Sequence, residues 1–415
     1  MKSLLRSRRF RRFTIAALLA TAGFSALFVY SHGSWSFLFC RVAFNYYLSR
    51  DAHEIEQESR SGHSNIYYFT SYYLNGMLSA VEGTGDERIL NKTIHYIDNM
   101  IDASTDFRSH GKTYKVWGPF FVTPDSTVPA PILHFTFQSM VPIARAAAII
   151  KTNPRLNKRY GATADRYIAF VDQAVIQYWY HGPLQDQVPW LNTDRFPIWN
   201  DNGSNMGLNA MFLCKATGAP IYCGLTDEIA TAFKNKLSPY RAGWIWENHT
   251  IPIGSDTDNT PGSVGNQAGV PDTSHTNREA FMMAHLYEMG RIFSRSDLDR
   301  MTHTFTDTLW NQSMEDPMFA NYLNGNDLPY RVYKKPGLNG SIYHGWVLMG
   351  GYSPLAQQIL LATIKATMRG KLNPALERNT TSYGGSLSLC GHALRNFAVL
   401  SNPDSFLTAQ TKKTP

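Results

Sequence analysis

The chain has few charged residues and few cysteines, and it lacks the short motifs that identify several large enzyme classes. Only 17% of its 415 residues are Asp, Glu, Lys or Arg, and only 4 are cysteine. No two cysteines have CxxC spacing, and no HExxH motif or closely spaced His/Cys set occurs, which argues against a zinc site. A Gly-rich phosphate loop and a GxSxG nucleophile elbow are also missing. We therefore predict neither a metal nor a cofactor.

Positive charge is concentrated at the N-terminus. The formal net charge is +7, and six of the basic residues precede the first apolar run: Lys2, Arg6, Arg8, Arg9, Arg11 and Arg12. The remainder is nearly neutral, so no nucleic-acid partner is predicted. An uncharged, mainly apolar segment follows at residues 13–30, which is marginally long enough to span a bilayer.

This arrangement predicts a single-pass anchor with the body of the protein outside the cytosol. The alternative is a cleaved signal peptide, because Ala20-Thr21-Ala22 resembles a small-residue cleavage site. Both alternatives predict an exported domain, either anchored or secreted. An exported domain also agrees with a loop disulfide between Cys214 and Cys223. Six N-x-Ser/Thr sequons allow a glycoprotein: Asn91, Asn202, Asn248, Asn311, Asn339 and Asn379.

Apolar residues recur at helical spacing through most of the chain. The predicted helices span residues 65–80, 86–101, 131–150, 163–180, 205–217, 226–237, 275–293, 297–310, 342–350, 354–369 and 386–400. Successive helix pairs without a strict residue period predict an all-α fold, an (α/α) toroid of helical hairpins, with an irregular α-solenoid as the alternative.

The predicted organisation has five parts. They are a basic segment at 1–12, the anchor or signal at 13–30, a juxtamembrane stem at 31–60, the catalytic toroid at 61–400 and a polar tail at 401–415. Three long interhelix stretches, at 190–204, 238–274 and 312–341, exceed ordinary connector lengths. Such loops are usually functional.

The most informative polar cluster runs from Pro271 to Glu279, where the second long stretch turns into a helix. Asp272 or Ser274 can cap that helix. His275 and Arg278 lie on one helical face, and a helix N-terminus favours the neutral imidazole that a general base needs. The alternative for His275 is a local structural bond.

The other two stretches carry further candidates. Tyr330, Arg331 and Tyr333 lie in a polar, Gly/Asn/Pro-rich segment, where a guanidinium beside a phenol eases proton transfer. On the helix after the first stretch, Asn205 is best explained as a cap, whereas Asn209 could neutralise a carboxylate or enolate.

A glycosidase would need two carboxylates instead. Asp201, Glu247, Asp272 and Glu279 could supply such a pair.

The segments Asp272-Thr-Ser-His-Thr-Asn-Arg278, Tyr330-Arg-Val-Tyr-Lys and Gly340-Ser-Ile-Tyr-His-Gly-Trp346 resemble the (α/α)-toroid polysaccharide lyases that act on uronic-acid polymers. The resemblance is strongest to the glucuronan/alginate lyase family and covers most of residues 60–400. It implies metal-independent β-elimination on an acidic polysaccharide.

By position, the resemblance implies that His275 is the base and Tyr330 the acid, with Asn209 and Arg278 neutralising the carboxylate. Asn205 is the alternative amide, and Tyr333 or Tyr343 the alternative acid. The implied substrate-binding residues are Asn205, Trp199, Trp246, Arg331, Tyr333, Tyr343 and His344.

Two other hypotheses are a glycoside hydrolase using Asp201 with Asp272 or Glu247, and a non-catalytic carbohydrate-binding envelope protein. The hydrolase predicts saturated products with new reducing ends.

Overall fold

The computed structural model describes residues 35–109, 111–118, 120–121, 130–131, 133–181, 201–246, 270–328, 337–338, 340–342, 344–369 and 385–407. Twelve α-helices lie in these ranges: α1 (35–50), α2 (Ala52–Ser59), α3 (Ser64–Thr84), α4 (Glu87–Asp102), α5 (Leu133–Thr152), α6 (Pro154–Val171), α7 (Asp201–Thr217), α8 (Pro220–Lys234), α9 (Asn277–Glu288), α10 (Arg295–His303), α11 (Pro354–Met368) and α12 (Gly385–Ser401). A short 3-10 helix covers Trp346–Gly351, and π-helical turns extend α6 over Asp172–Tyr180 and α10 over Thr304–Leu309.

The helix ends follow from local sequence signals. The side chain of Asn153 accepts hydrogen bonds from two backbone N–H groups of α6, and Pro154 occupies the first helical position. Ser294 forms a capping box with Asp297 at the start of α10. These side chains satisfy N–H groups that have no partner within the helix.

Among the residues that the structure describes, strands occur in three antiparallel pairs. They are β1 (Thr105–Ser109) with β2 (Lys112–Val116), β3 (Phe120–Phe121) with β4 (Ala130–Pro131), and β5 (Ser238–Tyr240) with β6 (Gly243–Ile245). In the described part of the chain, each pair is a hairpin between helices and not a layer of its own. The all-α prediction is therefore confirmed for these residues.

The helices form an inner ring with an outer layer. Going round the ring, α3, α5, α7, α9, the 3-10 helix and α12 each pack on the next, and α12 packs back on α3. Helices α4, α6, α8, α10 and α11 cover the inner elements from outside. This closed arrangement of hairpins agrees with the predicted toroid and not with an open solenoid.

The ring closes where the first and last inner helices meet. A Cβ atom added to Gly391 of α12 would lie 2.0 Å from the backbone oxygen of Gly76 in α3. A Cβ atom on Gly83 would lie 2.6 Å from backbone atoms of α12. Only glycine permits this backbone approach, so these positions fix the closure.

The interior of the ring holds a buried charge network. Arg395 donates to both oxygens of Glu288 at 2.6 Å and to Glu82 at 2.8 Å, and Arg145 donates to Glu82 at 2.7 Å. Burial alone would raise the pKa of Glu82, but the two guanidinium groups outweigh it and hold that pKa well below its usual value. The network therefore ties α3, α5, α9 and α12 together as two balanced ion pairs.

Residues 35–59, assigned to a stem in the sequence, fold as α1 and α2 and pack on the ring. Cys40 and Phe44 are fully buried there. None of the helices that the structure describes is long and apolar enough to cross a bilayer. The predicted anchor at 13–30 lies outside the described residues. The predicted disulfide between Cys214 and Cys223 is confirmed.

Candidate functional site

Side chains from five inner elements meet at one end of the ring, and each comes from the N-terminal end of its element. Tyr68 lies in the first turns of α3, with its ring centroid 5.0 Å from that of His134 at the start of α5. His134 Nδ1 lies 3.2 Å from Asn202 Oδ1 at the start of α7. Arg278 in α9 reaches Tyr68, and His344 precedes the 3-10 helix.

Arg278 is the centre of this cluster. Its side chain is 1% exposed. It donates to Gln138 Oε1 from Nε at 2.9 Å and from Nη2 at 2.5 Å, and Nη2 also donates to the Tyr68 hydroxyl at 2.6 Å. Nη1 donates to the backbone oxygen of His275 at 3.2 Å. One guanidinium thus joins α3, α5 and the entrance of α9, and it contacts a half-buried phenol.

His275 and Asp272 form a second polar pair beside Arg278. His275 Nδ1 lies 2.5 Å from Asp272 Oδ2, and the His275 backbone N–H donates to Asp272 Oδ1 at 2.9 Å. The two side chains are 32% and 15% exposed. A carboxylate on Nδ1 fixes the orientation of the ring and favours the tautomer with the proton on Nδ1.

Asn277 connects this pair to the third long loop. Its Oδ1 accepts from the backbone N–H groups of Gly345 at 3.0 Å and Trp346 at 3.3 Å, and its Nδ2 donates to the Ser341 backbone oxygen at 2.7 Å. A Cβ atom on Gly345 would lie 1.5 Å from the Asn277 backbone oxygen. Two of the segments quoted for the lyase resemblance, at 272–278 and 340–346, are therefore joined directly by hydrogen bonds.

His344 is a buried member of the cluster. Its ring centroid lies 5.1 Å from that of Tyr72 and 5.5 Å from that of Phe281. Burial, reinforced by the positive charges of Arg278 and Arg145, lowers the pKa of His344 well below its usual value. The imidazole is therefore neutral at physiological pH.

The amide residues predicted on α7 lie inside the ring wall. Asn209 is fully buried, and its Nδ2 donates to the backbone oxygens of Phe137 and Asn205, both at 2.8 Å. Asn205 is 1% exposed. The Asn209 amide therefore links α5 to α7, and its N–H groups donate to backbone oxygens of those two helices.

Trp246 is a core residue and not an exposed platform. It is 1% exposed, and its ring packs 5.2 Å from Phe233 and 6.4 Å from Trp346 between centroids. This burial corrects the predicted sugar-binding role, because the faces of the ring are covered by protein.

The remaining candidates cannot be placed. Trp199, Tyr330, Arg331, Tyr333, Tyr343 and Glu247 lie outside the described residues. Asp201 opens α7 at the same end of the ring, and its side chain is likewise outside the description. The roles suggested for these residues stay predictions.

Sequence reasoning missed three members of the cluster. Tyr68, Gln138 and His134 lie on apolar helices whose spacing predicted only core packing. A usable signal was present, because Tyr68 and His134 fall in the first two turns of inner helices. Gln138 lies beside Ser139 in a polar step of an otherwise mainly apolar helix.

A large cavity among the described residues lies at the opposite end of the ring. It has a volume of about 1110 Å³ and is lined by C-terminal parts of the inner helices, including Glu82, Lys215 and the Cys214–Cys223 disulfide. His275, Asp272 and Tyr68, whose side chains could transfer protons, lie at the end of the ring away from this cavity. We therefore place the candidate site by its chemistry and not by cavity size. Within the described ranges, no group of three or more His, Cys, Asp or Glu side chains is arranged to hold a metal ion.

No family model and no curated protein matches the chain. Among solved structures, the chain is similar to an inactive variant of the alpha-1,6-mannanase GH76A of Salegentibacter sp. HEL1_6 in complex with alpha-1,6-mannotetrose. The TM-score is 0.36 at 11% identity, covering 84% of this chain and 98% of that chain. A likeness at this level identifies neither a family nor a substrate. The lyase resemblance rests on the quoted motifs alone.

Proposed function

We propose that the protein is a carbohydrate-active enzyme that cleaves a uronic-acid polymer by β-elimination. The reaction would take place at the end of the ring where the inner helices begin. The observation that carries the proposal is the contact of Arg278 with both the Tyr68 hydroxyl and the His275 backbone, beside the His275–Asp272 pair. A base, a phenol and a cation thus lie within one hydrogen-bonded group, as proton abstraction and return require.

In the proposed reaction, His275 Nε2 takes the proton from C5 of the uronate. The electron pair forms the C4–C5 double bond as the bond from C4 to the glycosidic oxygen breaks. Tyr68 is positioned to protonate that oxygen, in the place first given to Tyr330. A guanidinium donating to the phenol oxygen stabilises the phenolate that remains.

Arg278 has a different part from the one implied by the resemblance. Its donors already reach Gln138, Tyr68 and a backbone oxygen. We therefore propose that it positions Tyr68 and supplies positive charge at the site. We propose His134 and Asn202 as the donors for the substrate carboxylate, because both are half-buried at the same end of the ring as Arg278.

A glycoside hydrolase is the second candidate. Asp201 is the first residue of α7 and Asp272 precedes α9, so the backbones of the two residues belong to the same end of the ring. A hydrolase would use them as acid and base or as acid and nucleophile. It would leave saturated products with new reducing ends.

The test is incubation of the full chain with glucuronan, alginate and neutral polysaccharides, followed by ultraviolet absorbance and a reducing-end assay. Ultraviolet absorbance from unsaturated uronates supports the lyase. Reducing ends without that absorbance support the hydrolase and refute β-elimination. Binding without any product supports the non-catalytic carbohydrate-binding alternative.

Two neighbouring tyrosines provide a matched pair of variants. We expect Tyr68→Phe to lower turnover by about 10²–10⁴, the usual contribution of a positioned general acid. Tyr67→Phe is the control, because the Tyr67 hydroxyl donates to the Ser59 backbone oxygen at 3.0 Å and accepts from the Gly62 backbone N–H at 2.8 Å. A Tyr68→Phe enzyme with the turnover of Tyr67→Phe would exclude Tyr68 from the chemistry.

A further inference from the structure

Helix α1 carries an exposed apolar stripe. Trp35, Leu38, Val42 and Tyr46 are 68%, 48%, 61% and 59% exposed. Their spacing of three, four and four residues places them on one face of the helix. A contiguous exposed row of large apolar side chains on a folded domain marks a surface that binds something.

The opposite face of α1 already has its partner. Cys40, Phe44 and Tyr47 are buried against the ring, and the Phe37 ring packs 5.9 Å from that of Phe397 in α12. Core packing therefore accounts for half of the helix. It does not account for the outward stripe.

We propose that this stripe lies in the interfacial region of a lipid bilayer and holds the ring against the membrane. The residue types fit that place, because Trp and Tyr favour the interface and Leu and Val favour the acyl boundary. No Asp or Glu occurs in residues 35–50. The stripe also begins five residues after the uncharged segment at 13–30, so it directly follows the predicted anchor in the sequence.

The charges on α1 indicate which lipid is needed. Arg41 lies 3.9 Å from Asp86, and Arg50 lies 2.5 Å from Asp51. Asp51 balances Arg50, but Asp86 is shared by Arg41 and by Arg88, which lies 2.7 Å away. One net positive charge remains, so anionic headgroups would add only a small attraction. The apolar stripe is therefore the source of binding, and zwitterionic phosphatidylcholine is sufficient as the partner.

The test measures the environment of the stripe in the full chain, independently of whether 13–30 anchors it. An environment-sensitive fluorophore is attached at Val42→Cys, and a matched one at Thr231→Cys on the exposed surface of α8. The native Cys40 and Cys390 are buried, and wild type measures their background labelling. The protein is placed in phosphatidylcholine vesicles and, separately, in buffer without lipid, detergent or polymer.

We expect a blue shift and quenching by brominated phosphatidylcholine at position 42 only, and only in vesicles. With the fluorophore at Leu38→Cys, the added substitution Val42→Glu should abolish the shift. Asn45→Glu, which adds the same charge beside the stripe, should leave it.

Three results would overturn the proposal. A label at position 42 that stays water-exposed in vesicles would show that the bilayer does not cover the stripe. Shielding without lipid that rises with protein concentration would show that a second copy covers it. Shielding without lipid at every concentration would show that another segment of the chain does.

Discussion

Arg395→Met is the sharpest test of how the ring is held together. Arg395 is fully buried and bridges Glu288 and Glu82, so its loss leaves Glu288 without a guanidinium partner. Glu82 keeps Arg145 at 2.7 Å. The substitution therefore changes a balanced set of two cations and two anions into one with an uncompensated buried carboxylate.

The expected loss in the free energy of unfolding is about 3–5 kcal/mol, the usual effect of removing one member of a buried ion pair. That loss is a large part of the roughly 5–15 kcal/mol that stabilises a typical domain. Adding Glu288→Gln removes the unpaired charge and keeps groups that can bond with Tyr352 and His285. We expect the double variant to recover about 0.5–3 kcal/mol of the loss, which is the range of coupling between residues in contact.

The assay is urea unfolding at neutral pH, followed by tryptophan fluorescence. Arg60→Met is the control, because its pair with Glu56 is at the surface, with side chains 58% and 35% exposed. Such a pair contributes at most about 1 kcal/mol. If Arg395→Met costs no more than Arg60→Met, or if the double variant loses the sum of the two single losses, the buried network does not stabilise the ring in this way.

Three further outcomes can be measured by thermal or urea unfolding. Gly391→Ala should cost about 3 kcal/mol, because its Cβ meets a backbone oxygen at 2.0 Å. Gly224→Ala, with nothing within 4 Å, should gain about 0.5–1 kcal/mol. Equal effects would contradict the close approach of α3 and α12 at Gly391. Burial lowers the pKa of His285 from 6.5 to about 4. Its contribution of about 3 kcal/mol to the free energy of unfolding is therefore complete above pH 6.5 and is lost as the pH falls towards 4. His285→Gln should flatten the dependence of stability on pH in this range, and an unchanged dependence would contradict the role of His285. Replacing Cys214 and Cys223 by serine should cost about 2–3 kcal/mol, since the bond closes a loop of sequence separation 9; no loss would show that the loop is equally restricted when reduced.

Most of the helices could be predicted because their signals are local. Spacing of apolar residues located α4 and α12 to within one or two residues. The first half of α6 was missed because residues 154–162 are mainly polar, although the Asn153-Pro154 cap was readable. The closure of the ring could not be predicted, since it depends on contact between Gly76 and Gly391, which are far apart in the sequence.

Only those residues of the candidate site that lie in a recognisable polar segment of the sequence could be predicted. His275 and Arg278 stand at a helix entrance in a polar run, and the structure places both in the cluster. Tyr68 and Gln138 are on helices that read as core, and only the packing of α3, α5 and α9 brings them together. An isolated polar residue on an apolar helix can either contact a substrate or form a hydrogen bond between helices. The sequence alone does not distinguish these two roles for Asn209, and the structure shows the hydrogen bond between helices.

The arrangement of the ring also bears on the choice between an acidic and a neutral substrate. Residues at the starts of α3, α5 and α7 meet at one end, so these helices direct their N-terminal dipoles to the same place, where a negative charge is favoured. Arg278 adds a formal positive charge there, while neighbouring His344 stays neutral. A uronate carboxylate gains from this field, whereas a neutral sugar does not. In the proposed elimination, the same electrostatic field would also stabilise the second negative charge that develops when C5 loses its proton, which is the step that an elimination must accelerate.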